Sequence, residues 1–147
     1  PGTGDIHLTL VQTVPVTGAV IVTTPQKVAL ADATKGGSMF SQANINVPIL
    51  GIIENMAFFT PEELPENKYY IFGEGGGQQL ADKFNVPVLG QIPLVQKIRE
   101  GGDSGRPIMM DESEVVSAAF FSAAENLAQQ IAIRNANLPK TEPVKMR

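Results

Sequence analysis

The chain has 147 residues, of which 43% are hydrophobic, enough for one compact domain with a sizeable core. Its formal net charge of −4 offers no positive field for nucleic acid or an anionic membrane, so neither partner is expected. It contains no cysteine, which excludes disulfides and thiolate metal ligands within this stretch. The longest apolar run, residues 47–53, is far shorter than the ~20 residues of a membrane span. The N-terminus has no signal-peptide pattern, so we expect a soluble, cytoplasmic protein.

Short β-branched runs alternate with longer amphipathic stretches, which predicts an α/β fold with a parallel sheet. The chain opens on a glycine-rich turn, residues 1–5, and a helix is expected over residues 6–14. The first strand is predicted at residues 18–23, apolar enough to be buried on both faces. A helix with its first turn at Pro25 should follow and continue to about Asn44.

The second strand is predicted at residues 47–53, ending in Glu54-Asn55-Met56. Residues 57–72 break the alternation with two prolines, three glutamates and a pair of tyrosines, which indicates a hairpin-like arm. A glycine-rich segment then opens a helix spanning residues 73–84. The third strand is predicted at residues 86–93.

A short helix over residues 94–100 and a long one over residues 112–134 complete the predicted elements. One face of the long helix should point to the core, because apolar residues recur on it at helical spacing. These are Val116, Phe120, Ala123, Leu127 and Ile131. Asp111 and Ser113 are candidate N-caps. We therefore predict one domain over residues 1–134 and a flexible tail over residues 135–147, where two prolines and scattered charges occur.

The opening Pro1-Gly2-Thr3-Gly4-Asp5 is the first candidate site. Its glycines would let backbone N–H groups approach an anion, and Asp5 could cap the helix that follows. A simple loop entering a helix is the alternative. His7, the one histidine of the chain, is expected to be a packing or surface residue.

The second candidate site lies at the ends of two predicted strands, where parallel sheets bind ligands. The carboxamide of Asn55 carries a donor and an acceptor, as pairing with adenine requires, although an Asn here could also just close a turn. Pro93 and Leu94, at the end of the next strand, could lay an apolar wall against the same base. No residue is predicted to bind a metal.

Gly73 to Gly77 have the glycine content of a phosphate loop but lack the Gly-Lys-Ser/Thr ending of a Walker A motif. They also miss the spacing of a dinucleotide fingerprint. We therefore expect a flexible joint between the arm and a helix.

Five ordered motifs resemble the C-terminal half of the Mrp/ApbC family, deviant-Walker P-loop ATPases that carry iron–sulfur clusters. They are Pro-Gly-Thr-Gly-Asp-Ile-His-Leu-Thr-Leu at 1–10, Val-Ile-Val-Thr-Thr-Pro-Gln at 20–26, Gly-Ile-Ile-Glu-Asn-Met at 51–56, Ile-Phe-Gly-Glu-Gly-Gly-Gly at 71–77 and Gly-Gln-Ile-Pro-Leu at 90–94. The resemblance implies a homodimeric ATPase with a P-loop NTPase fold related to MinD, which uses ATP and Mg²⁺ and serves apo iron–sulfur client proteins. It also implies that Gly2 lies in a switch loop near the γ-phosphate, that Asn55 contacts adenine, and that Pro93 and Leu94 flank the base.

The chain departs from the family pattern in two ways. The family's P-loop would lie upstream of Pro1, so the polypeptide by itself should not hydrolyse ATP. The family's Cys-X-X-Cys pair after Asn-Met is missing from the arm, where the polar side chains are Thr, Glu, Asn and Lys. Oxygen donors suit hard cations, and iron–sulfur clusters are held by thiolates, so a 4Fe-4S cluster on this arm is not expected.

Three hypotheses about function remain open. The first is a cluster-carrier ATPase in which hydrolysis drives dimer rearrangement and cluster transfer. The second is a MinD- or ParA-like positioning ATPase, which the single cation between residues 115 and 134 disfavours as a membrane-bound form. The third is a non-enzymatic interaction module.

Overall fold

The computed structural model describes residues 5–61, 63–64, 66–110 and 115–145. Pro1 to Gly4, which include Gly2, lie outside these ranges, as do Asp111 and Ser113. Their expected roles in the switch loop and at the helix cap therefore stay predictions.

The described strands form one sheet in the order β1-β2-β3. They are β1 (Ala19–Thr23), β2 (Ile49–Phe59) and β3 (Val88–Leu94), and both neighbouring pairs are parallel. Ile52 in the central strand is fully buried, as expected for a strand whose two faces are both covered. The predicted α/β fold with a parallel sheet is confirmed.

The helices that connect and follow the strands lie close to their predicted positions. They are α1 (Asp5–Thr13), α2 (Lys27–Phe40), α3 (Gly76–Phe84), α4 (Gln96–Asp103), a 3₁₀ turn (Ile108–Met110) and α5 (Val115–Asn137). α2 packs on β1, α3 on β2, and α5 on β3 and β2. The predicted core face of α5 is partly or fully buried along its length, so the helical periodicity is confirmed. No helix in the described part of the chain is long and apolar enough to cross a membrane.

Two apolar clusters form the core. The larger sheet cluster joins the first two strands to α3 through Ile21, Ile52, Leu80 and Ala81. The second cluster joins α1 to the end of α2 and the segment before β2, through Val11, Met39, Ile45 and Val47. α1 buries only Val11 fully, and Leu8 of the same helix packs on the second cluster while partly buried.

Several predicted boundaries differ from those in the structure. β2 does not end at residue 53 but continues through Asn55 and Met56 to Phe59, because Glu54 and Asn55 pair with β3 and the pairing resumes at Phe59 after a bulge. α4 begins later and continues to Asp103. α5 continues to Asn137, where the Asn137 side chain donates a hydrogen bond to the carbonyl of Ile133.

The segment after α5 returns to α1. The backbone N–H of Val144 donates to the carbonyl of Val11 at 2.8 Å, and the Val144 side chain packs on the second cluster. Within a helix the carbonyl of Val11 would accept from the N–H of residue 15, but residue 15 is a proline and has none. Val144 thus satisfies a carbonyl that the local sequence cannot satisfy. The flexible tail at 135–147 and the domain limit at 134 remain predictions.

Candidate strand-end site

The carboxyl ends of all three strands meet at one edge of the sheet, where α/β proteins bind ligands. Thr23 of β1 lies in register with Glu54 of β2, and Glu54 in register with Gln91 of β3. Asn55, one residue further, lies in register with Ile92. The structure therefore brings together the strand ends that the sequence singled out.

Asn55 is half-buried, and its Oδ1 accepts a hydrogen bond of 3.0 Å from the backbone N–H of Met56. It also lines a cavity of about 560 Å³ beside β1, together with Thr23 and Thr24. The remaining lining residues come from α1, β1 and α2 and include His7, Asp32 and Phe40. Asn55 thus lies beside a space large enough for part of a ligand. Its carboxamide can still form hydrogen bonds there.

Pro93 and Leu94 lie at the same sheet edge but do not line this cavity. Pro93 is buried, whereas Leu94 is half-buried and lies in register with Phe59. Of the two residues predicted to flank a base, Leu94 has the larger free surface.

The residue after Asn55 has an unusual backbone conformation. Met56 has a φ of 53°, in the left-handed region that a residue other than glycine adopts at a cost of about 1 kcal/mol or more. At the same point the pairing with β3 jumps from Asn55–Ile92 to Phe59–Leu94. This bulge ends the regular register directly beside Asn55 and turns the chain toward the arm.

Glu54 is the most completely buried charged residue described, with 1% of its surface exposed. Its Oε1 accepts a 2.8 Å hydrogen bond from the backbone N–H of Gly77 in the first turn of α3. Its Oε2 accepts a 2.6 Å hydrogen bond from Nε2 of Gln91 on β3. A buried carboxylate is stable only with such donors, so Glu54 links three elements at the strand ends.

The glycine-rich segment before α3 is a close-packed helix start. The prediction of a flexible joint is therefore wrong for Gly76 and Gly77, which are both buried. A Cβ at Gly76 would lie 2.8 Å from the backbone of Pro25, and one at Gly77 would lie 2.9 Å from Cβ of Glu54. The glycines allow the helix to approach the sheet this closely. Its N-terminus, where a phosphate could have bound, is already occupied by the Glu54 carboxylate.

The arm after β2 is hairpin-like, as predicted. Phe59 and Tyr69 exchange two backbone hydrogen bonds of 2.8 Å. Phe58 packs edge-on against Tyr70, with ring centroids 6.5 Å apart, and Nζ of Lys68 lies 4.3 Å from the centre of the Phe58 ring.

The two phenylalanines are thus half-buried within the arm, and the exposed apolar surface of the arm comes from other residues. The most exposed of these are Leu64 and Ile71, at 51% and 60%.

Two further observations concern metals and His7. The part of the chain that the structure describes has no group of three or more acidic or histidine side chains that could hold a metal ion. His7 is half-buried with its ring edge-on to Phe40, at a centroid distance of 6.4 Å, which agrees with the predicted packing role.

Sequence reasoning assigned no role to Glu54 or Gln91. A carboxylate at the end of a strand that is otherwise apolar was the available signal, because such a residue must be buried and therefore needs donors nearby. The sequence could not reveal that one donor is the amide of Gly77, since that contact depends on how α3 packs.

Comparison with known proteins shows the family of this chain. Residues 1–132 match the ParA family described as NUBPL iron-transfer P-loop NTPase. An iron-sulfur cluster carrier protein from Synechocystis is 52% identical over 132 residues. A nucleotide-binding protein from Archaeoglobus fulgidus, solved in complex with ADP, is 37% identical, with a TM-score of 0.65 over 82% of this chain. The cell division ATPase MinD from Pyrococcus furiosus is 25% identical, with a TM-score of 0.56 over 77% of this chain.

The chain spans only part of these proteins. The match covers 90% of this chain but 36% of the Synechocystis protein. It covers 47% of the Archaeoglobus protein and 43% of MinD.

Proposed function

This chain belongs to the iron-transfer P-loop NTPases, the family of the iron–sulfur cluster carriers, with a MinD-like fold, and from that premise we propose that it supplies the adenine side of an ATP site. In this proposal it acts within a longer protein that also contains the P-loop, called the full-length protein below. That protein binds ATP with Mg²⁺, hydrolyses it, rearranges as a homodimer and transfers a cluster to apo client proteins in the cytoplasm.

The observation that carries the proposal is the register of Asn55 with Ile92 at the carboxyl ends of β2 and β3. It supports the assignment of Asn55 to adenine, because a carboxamide can pair with the ring nitrogen and the exocyclic amine of the base. Leu94, with Pro93 behind it, would contact the face of the ring. Gly2 would serve the γ-phosphate from the switch loop.

The substitution Asn55→Ala tests this role in the full-length protein. We expect ATP affinity to fall several-fold to about tenfold, since each lost hydrogen bond contributes about 1 kcal/mol. Asn67→Ala, an exposed amide in the arm, is the matched control and should leave affinity unchanged. Titration calorimetry that gave the Asn55 variant unchanged affinities for both ATP and GTP would remove Asn55 from the base site.

The phosphate chemistry would come from residues outside this chain. A P-loop cradles the phosphates and holds Mg²⁺, and the sequence contains no such loop. We therefore expect the isolated chain to show no ATP hydrolysis above a buffer blank, and measurable turnover would contradict this assignment.

The iron–sulfur cluster is the cargo of this function, and the residues of this chain do not fit it. Cluster iron is held by thiolates, and the chain has no cysteine. Cysteines elsewhere in the full-length protein would have to hold the cluster. Reconstitution of the full-length protein with iron and sulfide, followed by iron quantification, separates a carrier from a positioning ATPase of the MinD type. A carrier binds iron stoichiometrically, and a positioning ATPase does not.

The arm is the proposed dimer contact. Exposed Leu64 and Ile71 give it an apolar surface, while Phe58 and Phe59 hold it together from within. Ile71→Ser should shift a dimer toward monomer in sedimentation, because exposed apolar anchors at interfaces contribute about 1–2 kcal/mol or more.

Ile133→Ser is the matched control for the dimer test, because this α5 residue is also an exposed isoleucine, at 46%. It should leave the dimer intact. Equal sedimentation of the Ile71 variant and the parent would refute the arm contact. Phe58→Ser with Phe59→Ser should also weaken the dimer, but by loosening the arm.

A further inference from the structure

We propose that Glu54 is a positioning residue for Asn55. Its carboxylate clamps the start of the arm to β3 and so fixes the direction from which the Asn55 side chain meets adenine. The proposal rests on the adenine role of Asn55 proposed above. It assigns to Glu54 no contact with the nucleotide.

The clamp consists of two hydrogen bonds from one buried carboxylate. The bond to Gly77 joins the two flanks of the arm, because the arm begins at the end of β2, a few residues after Glu54, and re-enters the fold at the start of α3. The bond to Gln91 ties the same residue to the neighbouring strand. Both donors are N–H groups, so each oxygen of the carboxylate accepts one hydrogen bond. Glu54 is thus fixed on two sides, and Asn55 is the next residue along the backbone.

The strained backbone at Met56 makes such a clamp necessary. A left-handed conformation at a non-glycine residue persists only when the surrounding contacts enforce it. Two sets of contacts flank Met56: the Glu54 clamp before it, and the reciprocal pair between Phe59 and Tyr69 after it. If the first set were lost, the bulge could relax toward regular strand geometry. Relaxation of the backbone at Met56 would then redirect the side chain of Asn55, whose Oδ1 accepts from the Met56 N–H.

The clamp also explains the glycine at position 77 in the first turn of α3. Only a residue without a Cβ at position 77 lets the helix amide approach within 2.8 Å of the carboxylate, because a Cβ there would lie 2.9 Å from Cβ of Glu54. The close approach of Gly77 and the buried carboxylate of Glu54 therefore depend on each other. Together they hold the end of β2 that carries Asn55.

Base selectivity is the readout that distinguishes positioning from mere stabilisation. In the full-length protein, Glu54→Leu removes both hydrogen bonds and should lower the ratio of ATP to GTP affinity by about tenfold. Gln91→Leu removes only the bond to β3 and should lower it by about threefold. Glu54→Gln keeps both bonds when the Gln91 amide turns over, and should change the ratio by less than about twofold.

A double-mutant cycle with Asn55→Ala decides the matter. If Glu54 acts through Asn55, Glu54→Leu should lower the ratio no further once Asn55 is alanine, because effects that act through one group are not additive. An equal loss in both backgrounds, or an unchanged ratio with a lowered melting temperature, overturns the proposal and leaves Glu54 a stabilising residue. If Glu54→Leu does not fold, the same cycle with Gln91→Leu, which alters an exposed side chain, gives the decision.

The cycle also separates this inference from the function on which it depends. An Asn55→Ala variant with unchanged ATP and GTP affinities refutes the adenine site itself, and the positioning role falls with it. A clear effect of Asn55→Ala without any effect of Glu54→Leu or Gln91→Leu refutes only the positioning role.

Discussion

The base of the arm and helix α1 are fastened to the same sheet in different ways. At the arm base, Glu54 is fully buried, accepts two hydrogen bonds from separate elements, and is contacted closely by the backbone of α3. α1 fully buries only Val11, packs Leu8 and His7 partly, and receives a backbone hydrogen bond from Val144, far along the chain. The first region is held by a buried carboxylate and close backbone packing, and the second by one buried side chain, a few half-buried ones and a returning tail.

This difference indicates which side of the proposed nucleotide site can move. Regions with few buried apolar contacts open at lower free energy than those inside the core. The adenine side, where Asn55 lies beside the Glu54 clamp, should therefore be preformed. The side next to α1 should adjust when ATP binds.

The largest expected effect comes from disturbing the arm base. Gly77→Ala adds a Cβ 2.9 Å from Cβ of Glu54, and overpacking of this kind costs about 1–3 kcal/mol in the free energy of unfolding. Gly102→Ala is the matched control, because Gly102 lies in α4 with no heavy atom within 4 Å of the added Cβ. That control should stabilise the protein by about 0.5 kcal/mol through helix propensity. Urea denaturation of the full-length variants measures both, and equal effects of the two substitutions would contradict the close packing at Gly77.

A smaller effect is expected from removing the tail. Deletion of residues 139–147 takes away the N–H of Val144 and its packing on the cluster around Val11. Amide hydrogen exchange in α1 should then become about tenfold faster, which corresponds to roughly 1.4 kcal/mol of local stability. Exchange in α3 should not change, because no described residue of the tail is among those packed on the cluster that contains Leu80 and Ala81. Equal acceleration in both helices would show that the tail stabilises the whole domain.

The smallest effect is expected from Pro15→Ala, which separates the hydrogen bond of the tail from its packing. Pro15→Ala restores an N–H at the position where a helical bond to the carbonyl of Val11 would form. The variant should reduce the effect of the tail deletion on α1 exchange by about half, since one of the two lost contributions is then replaced locally. Hydrogen exchange on the two deletion proteins, with and without Pro15→Ala, makes the comparison. Identical exchange in the two would mean that packing by Val144 alone holds the helix.

The contrast between these regions also explains what the sequence could predict. Strands, helices and the meeting of Asn55 with residues 92–94 followed from hydrophobic periodicity and from the geometry of parallel sheets. The extension of β2 to Phe59 did not, because the left-handed Met56 lets pairing resume after a bulge, and a bulge leaves no clear periodic signal. The prediction of a flexible joint in the glycine-rich segment is wrong because glycine occurs both in flexible joints and where two backbones pack closely. Only the position of Glu54 in the fold shows that Gly77 belongs to the second kind. Contacts between residues far apart in the chain, such as Val144 with Val11, likewise carry no local pattern.

Hydrogen exchange of the full-length protein with and without ATP tests whether the adenine side of the proposed site is preformed while the side next to α1 adjusts. We expect amides of α1 to exchange rapidly without nucleotide and to gain protection when ATP binds. The Gly77 amide, bonded to the buried Glu54, should already be protected and change little. A protected α1 that does not respond to ATP, together with a Gly77 amide that becomes protected only in its presence, would contradict this difference between the two sides.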